Sequence, residues 1–186
     1  MRTPTRSRKA NHAPRLQRGF SLIELLIVVA IILIIAAIAI PNLLRARMAA
    51  NEAAAVETLR TITTASMVYS STYGNGFPPT LAALGGPPAG ISTCDQAVLV
   101  DSLVTNGPNQ KSGFKFAYTP VGAAVIPPAG CSAAGTNAYL VTATPTTVGV
   151  TGIRSFCSDE PGSIHFDTTG ATAGSQGNCV ALPPLQ

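Results

Sequence analysis

Tryptophan is absent from the 186 residues, and aromatic residues make up only 5% of them. So few rings leave a thin core for any globular part. Histidines number two, His12 and His165. There is no glycine-rich phosphate loop ending in Lys-Ser or Lys-Thr, and no Gly-x-Ser-x-Gly elbow. No two cysteines stand close enough for the Cys-x-x-Cys pairs that zinc sites use. P-loop, serine-hydrolase and zinc-ribbon chemistries are thereby set aside, and nothing in the chain points to an enzyme or a cofactor. Two further absences are local. The first 18 residues carry no acid, and Leu25 to Ile40 carries no charge and no polar side chain.

What stands beside those gaps is informative. The acid-free arm holds Arg2, Arg6, Arg8, Lys9, Arg15 and Arg18. Pro4 and Pro14 and the lack of apolar periodicity argue against a packed element there. A secretory signal peptide puts its small-residue cleavage site after the apolar core. Here the candidate, Gly19, lies before it, so a cut would discard the arm and keep the apolar segment. Cations on one side of an apolar span predict a cytoplasmic arm and an exported C-terminal part. The 21 residues from Phe20 to Ile40 would make about 31 Å of helix, against a hydrocarbon core of about 30 Å. They are apolar on every side, which suits lipid or the middle of a helical bundle rather than the surface of a soluble domain.

One carboxylate, Glu24, stands at the mouth of this run, where charge is costly. Ser21-Leu22-Ile23-Glu24 fits a capping box, with Ser21 as N-cap and Glu24 at the third helical position. Phe20 and Leu25 would form the accompanying hydrophobic staple. Capping alone explains poorly why a Glu is tolerated at that depth.

Gly19, Phe20 and Glu24 resemble the cleavage and methylation site of type IV prepilins: a Gly, a Phe that becomes the new N-terminus, and a Glu four residues on. Pro41 stands where these proteins usually carry a proline. The leader of residues 1–19 is longer than is usual for pilins that start with Phe. The resemblance implies cleavage after Gly19 and N-methylation of Phe20 by a membrane prepilin peptidase. An assembly ATPase and a platform protein would then draw subunits from the membrane into a filament of the chain's own kind. It also implies that Glu24 pairs with the freed amine of Phe20 in a neighbouring subunit. In a low-dielectric bundle such a pair is attractive and an unpaired carboxylate is disfavoured, so the pair would set subunit register.

Beyond the span, Pro41 removes one backbone hydrogen bond and is expected to kink or loosen the helix. Asn42 to Tyr73 reads as helix again, rich in alanine. Val56, Leu59, Ile62, Ser66, Tyr69 and Tyr73 recur at three- and four-residue steps and mark the face that packs on a globular head. Gly74-Asn75-Gly76 ends the helix, with Pro78-Pro79 just beyond. From there the composition shifts to Gly, Pro, Thr, Ser and Ala. A short helical turn is expected at 81–84, loop at Gly85-Gly86-Pro87-Pro88, and a second short helix at 97–104. Strands are expected at 114–119, 139–144, 154–158 and 163–167. Phe114, Phe116 and Tyr118 alternate with polar or small neighbours, as a half-buried strand requires. The fold class is α+β: a long N-terminal helix leaning on a small antiparallel sheet. The chain then divides into a leader at 1–19, a span at 20–41, an amphipathic continuation at 42–73 and a head at 74–186.

Cys94, Cys131, Cys157 and Cys179 all lie in the part expected outside the cytosol, where an even count reads as two disulfides. Three connectivities are open. We take the sequential one, Cys94–Cys131 and Cys157–Cys179, whose second bridge is similar to the one closing the C-terminal loop of many pilins. Asp159, Glu160 and Asp167 are the clustered acids of the head and lack a regular calcium spacing. Asp159-Glu160-Pro161-Gly162 reads as a turn, so no metal is assigned. His165, within a strand, reads as a structural histidine. After removal of the arm, six cations face eight acids, a net charge of −2, which argues against general nucleic-acid binding by the head.

The function implied is a structural subunit of a type IV pilus. It would first be a single-pass protein of the inner membrane and afterwards part of an extracellular filament. The alternatives are a pseudopilin of a type II secretion machine, in the periplasm, and a membrane-tethered binding or enzymatic domain. The sparse, cysteine-bearing Gly/Thr/Ser-rich head favours the pilus.

Overall fold

The computed structural model describes residues 19–87, 90–160 and 162–185. The leader up to Arg18, with His12, lies outside the described residues, as do Pro88 and Pro161 of the two expected loops. The chain forms two units, one up to Pro41 and one from Asn42. The first unit is the N-terminal part of α1, a helix that runs Leu22–Tyr73 with Pro41 inside it. Its side chains from Leu22 to Ile40 are exposed, only Ala36 being half-buried.

The second unit is the head with its share of α1. Strands β1 (Gln110–Lys111), β2 (Phe114–Ala124), β3 (Thr136–Pro145), β4 (Ser155–Asp159) and β5 (Ile164–Asp167) form one antiparallel meander in sequence order. One face of the sheet supplies Phe114, Phe116, Tyr139, Val141, Ala143 and Phe156 to a core shared with Ala55, Val56, Leu59, Ile62, Ala65 and Tyr69 of α1. Of the expected stripe, Val56, Leu59, Ile62, Ser66 and Tyr69 are buried and Tyr73 is half-buried. Thr58, Thr63 and Ser66 are tolerated on this face because each hydroxyl donates to the carbonyl four residues back, at 2.8–2.9 Å. The other face of the sheet is covered around Leu140 and Cys157 by Cys179, Ala173 and Leu182 of the C-terminal segment.

The helix ends as its sequence demands. Gly74 and Gly76 both adopt positive φ, +62° and +68°, which glycine alone enters without strain. A Cβ on Gly76 would also stand 2.5 Å from the Thr136 carbonyl. Between them Asn75 is fully buried. Its amide donates to the Ala133 carbonyl at 2.9 Å and its oxygen accepts from Gly135 N at 3.2 Å. The turn thus ties the end of α1 to the chain entering β3.

The short turn at Leu81–Leu84 is a 3-10 helix capped by Thr80. The helix expected over 97–104 does not form with those bounds. Residues 97–100 are non-helical because their amides bond to the carbonyls of Ala83, Leu84 and Gly85. The helix, α2, is Ser102–Thr105, started by the Asp101 side chain accepting from Leu103 N. Strand β2 also runs past the expected end at Thr119. Strand β1 pairs only with Phe114 and Lys115, and Phe116 N donates to the Asn109 carbonyl at 2.8 Å; beyond Phe116 this edge of β2 is free among the described residues, which accommodates Pro120. Its pairing with β3 shifts register between Val121 and Ala124, around Gly122 at φ +84°, where Ala123 N donates to the Asn137 side chain. Strand β1 and a five-residue C-terminal helix, α3 (Gln176–Val180), were not expected.

Candidate functional site

The sequence-predicted residues Gly19, Phe20 and Glu24 stand together at the start of α1. Phe20 is 84% exposed, and apart from the chain neighbours of Gly19 no described residue lies within 4 Å of where a Gly19 Cβ would be. Ser21 immediately precedes the helix, and its amide donates to Glu24 Oε2 at 3.0 Å. This is the Glu half of a capping box, and it places the carboxylate beside the backbone that would follow a new N-terminus at Phe20. Pro41 lies further along α1, which continues through it. Having no N–H, Pro41 leaves the Ala37 carbonyl without its usual partner. The stretch between is long and apolar enough to cross a membrane.

In the head, Cys94 is joined to Cys131 and Cys157 to Cys179, with Cα separations of 5.5 and 5.9 Å. The second bridge fastens α3 to β4. Beyond α3 the chain lies along β5: Phe166 N donates to Pro183 O and Leu185 N to Ile164 O, at 3.1 and 2.7 Å. His165 belongs to this arrangement, its Nδ1 donating to the Leu182 carbonyl at 2.7 Å.

The acids Asp159, Glu160 and Asp167 have separate surroundings. Glu160 accepts from the Gln176 side chain, and Asp167 accepts from the Thr169 amide and hydroxyl at 2.7 Å. Asp159 is buried, and among the described residues its Oδ1 has no partner. Burial, then the Glu160 charge, raise its carboxyl above the ordinary range. Nearby, burial pushes the Tyr139 phenol up to about 12. Among the described residues no three His, Cys, Asp or Glu side chains converge as a metal site would need.

One node was missed by sequence reasoning. Glu52 of α1 is 7% exposed. Its Oε1 accepts from the Ile153 and Arg154 amides at 2.8 and 3.0 Å, and its Oε2 from Arg154 Nε and an Arg154 terminal nitrogen, both at 2.8 Å. Burial works against the charge, but the Arg154 and Ile153 amides and the guanidinium outweigh it and hold the carboxyl below its usual value. The guanidinium in turn lies over Phe156 and Phe166, 5.6 and 5.5 Å from their ring centres. The signal was present: Glu52, Val56 and Leu59 share the stripe's spacing, so an acid lay in line with the buried face.

The prokaryotic N-terminal methylation motif matches residues 14–40. A curated relative, the type IV wide pilus major component PilA4 of Thermus thermophilus, is 69% identical over 35 residues. That stretch is 19% of this chain and 27% of the relative. No solved structure matches. The N-terminal segment is thus similar to that of type IV pilins, and the rest of the chain forms an α+β head with a disulfide-held C-terminal segment.

Proposed function

We propose that the chain is the precursor of a type IV pilus subunit, cleaved after Gly19, N-methylated at Phe20 and polymerised through the apolar part of α1. The observation carrying this reading is the conjunction of Gly19-Phe20-x-x-x-Glu24 with an exposed apolar helix that begins two residues after Phe20. Side chains apolar on every side are stable only in lipid or among other apolar helices, and a filament core supplies the second. The relative sharing the segment is named a pilus component, which favours a pilus over a pseudopilus. The partners under this reading are a prepilin peptidase and methylase, an assembly platform with its ATPase, the inner membrane and further copies of the chain.

Intact-mass and N-terminal analysis of sheared filaments tests it. The expected product lacks residues 1–19 and starts with N-methyl-Phe20. A filament-free cell, or a mature protein that starts at Met1 or is cut after residue 40, overturns the reading.

A further inference from the structure

One end of the head combines exposed aliphatic side chains with unopposed positive charge. In the β3–β4 loop, Val150 is 64% exposed, and Val148 and Ile153 are exposed beside it. Hydrogen bonds tie this loop to the β1–β2 turn and to α1. Thr146 N donates to the Gly113 carbonyl in the β1–β2 turn at 2.9 Å. Asn51 Nδ2 of α1 donates to the Thr151 carbonyl at 3.0 Å. Leu44, Arg47, Asn51, Gly113, Val150 and Thr151 line one shallow cleft, so Val150 stands level with Leu44 and Arg47. Arg45, Arg47 and Lys115 are exposed around it. Lys111, at the edge of the same turn, is paired with Asp101 at 3.5 Å. Glu52, further along the same helix, is engaged by Arg154.

Chain connectivity limits how far Leu44 can stand from the apolar run. Leu44 is four residues beyond Ile40, about 6 Å of helix and no more than about 14 Å for any conformation. The headgroup layer extends roughly 6 Å beyond the hydrocarbon on each side. Before assembly, therefore, the chain itself holds Leu44 within reach of the bilayer surface, whatever the orientation of the head. Aliphatic side chains flanked by Arg and Lys are the composition that partitions into such a layer.

We propose that this end of the head, the β3–β4 loop with the β1–β2 turn, docks on the anionic surface of the bilayer that holds the chain's own span. The inference rests on the membrane-inserted state of the proposed function. It gives the unassembled subunit a second, shallow membrane contact that must be released when the subunit enters a filament.

All four cysteines are bridged, so a cysteine introduced by Val150→Cys, or by Val148→Cys as a second variant, takes a single fluorophore. The full chain is reconstituted in vesicles of phosphatidylglycerol and phosphatidylcholine carrying headgroup spin labels. Val29→Cys in the span and Ile126→Cys are the references. Ile126 is 89% exposed and follows Val125, which lies against Gly76 at the opposite end of the sheet. Labels at 150 and 148 are expected to be quenched severalfold more than the label at 126. The excess should fall in pure phosphatidylcholine and in high salt. Quenching at 150 and 148 no greater than at 126, with a label at 29 protected in the bilayer, overturns the docking and leaves the span intact. An unprotected label at 29 overturns membrane insertion and the docking with it. Shielding at 150 that grows with protein density at fixed lipid assigns the surface to a second copy of the chain, and overturns the proposal too.

Discussion

Glu52 and Arg154 show how a single residue can fasten the head to its helix. The carboxylate receives two amides and a guanidinium that lie 101 and 102 residues away in sequence. Glu52→Ala leaves those amides and a half-buried guanidinium without an acceptor. Because the Arg154 side chain is 40% exposed, water recovers part of the loss, and the cost should be about 2–3 kcal/mol. Glu52→Gln keeps an acceptor for the amides and should cost about 1–2 kcal/mol. The folded-state carboxyl is depressed, so its contribution is complete above the unfolded value of about 4.3 and is lost as pH falls through the folded value. Denaturant unfolding should therefore show wild type and Glu52→Gln converging in stability as pH drops below about 4. An unchanged gap from pH 7 to pH 3 would remove Glu52 as the source.

At the scale of elements, the C-terminal segment is a cover for the second face of the sheet. It is short of apolar mass, contributing Ala173, Cys179 and Leu182 around Leu140 and Cys157. The Cys157–Cys179 bridge closes a sequence separation of 22 residues, worth about 3 kcal/mol in the chain-entropy treatment. Replacing both cysteines by alanine should lower stability by about that amount. Protease cleavage should then appear between Asp167 and Gln176 while the core formed by α1 and β2 to β4 persists. Resistance equal to wild type would mean that the hydrogen bonds of Pro183 and Leu185 along β5 hold the segment by themselves. What the sequence made legible here follows from which forces act locally. The stripe from Val56 to Tyr69, the Gly74-Asn75-Gly76 stop and the aromatic alternation of β2 are written in periodicity and glycine placement. Strand β1 pairs only three to five residues away, but its two polar residues are too few to show an alternation; the non-helical run at 97–100 and the length of β2 beyond Pro120 depend on partners outside their own segments. Propensity carries no information about those pairings. Glu52 was readable by spacing, but its partner Arg154 was not, since the loop that brings it there is fixed by the fold.

For the whole molecule the decisive residue is one on which the head does not depend. The one side-chain hydrogen bond of Glu24 among the described residues is to the Ser21 amide, and the buried residues of α1 begin at Glu52. Unfolding of the head should therefore be the same with and without this carboxylate. Under the proposed function Glu24 meets the amine of Phe20 in the next subunit, and breaking such a buried pair costs about 3–5 kcal/mol at every step of the polymer. Two substitutions separate that role from helix capping. A Gln at the third helical position satisfies a capping box as well as Glu does, so Glu24→Gln preserves the helix end but removes the charge. Glu24→Ala removes both, at about 1 kcal/mol for the cap. Both variants should be inserted and cleaved, with wild-type unfolding of the head, and both should be lost from sheared filaments. Filaments at wild-type yield from Glu24→Gln, with loss only in Glu24→Ala, would assign Glu24 to the helix end. Wild-type yield from both would leave subunit register to the apolar packing of α1 alone.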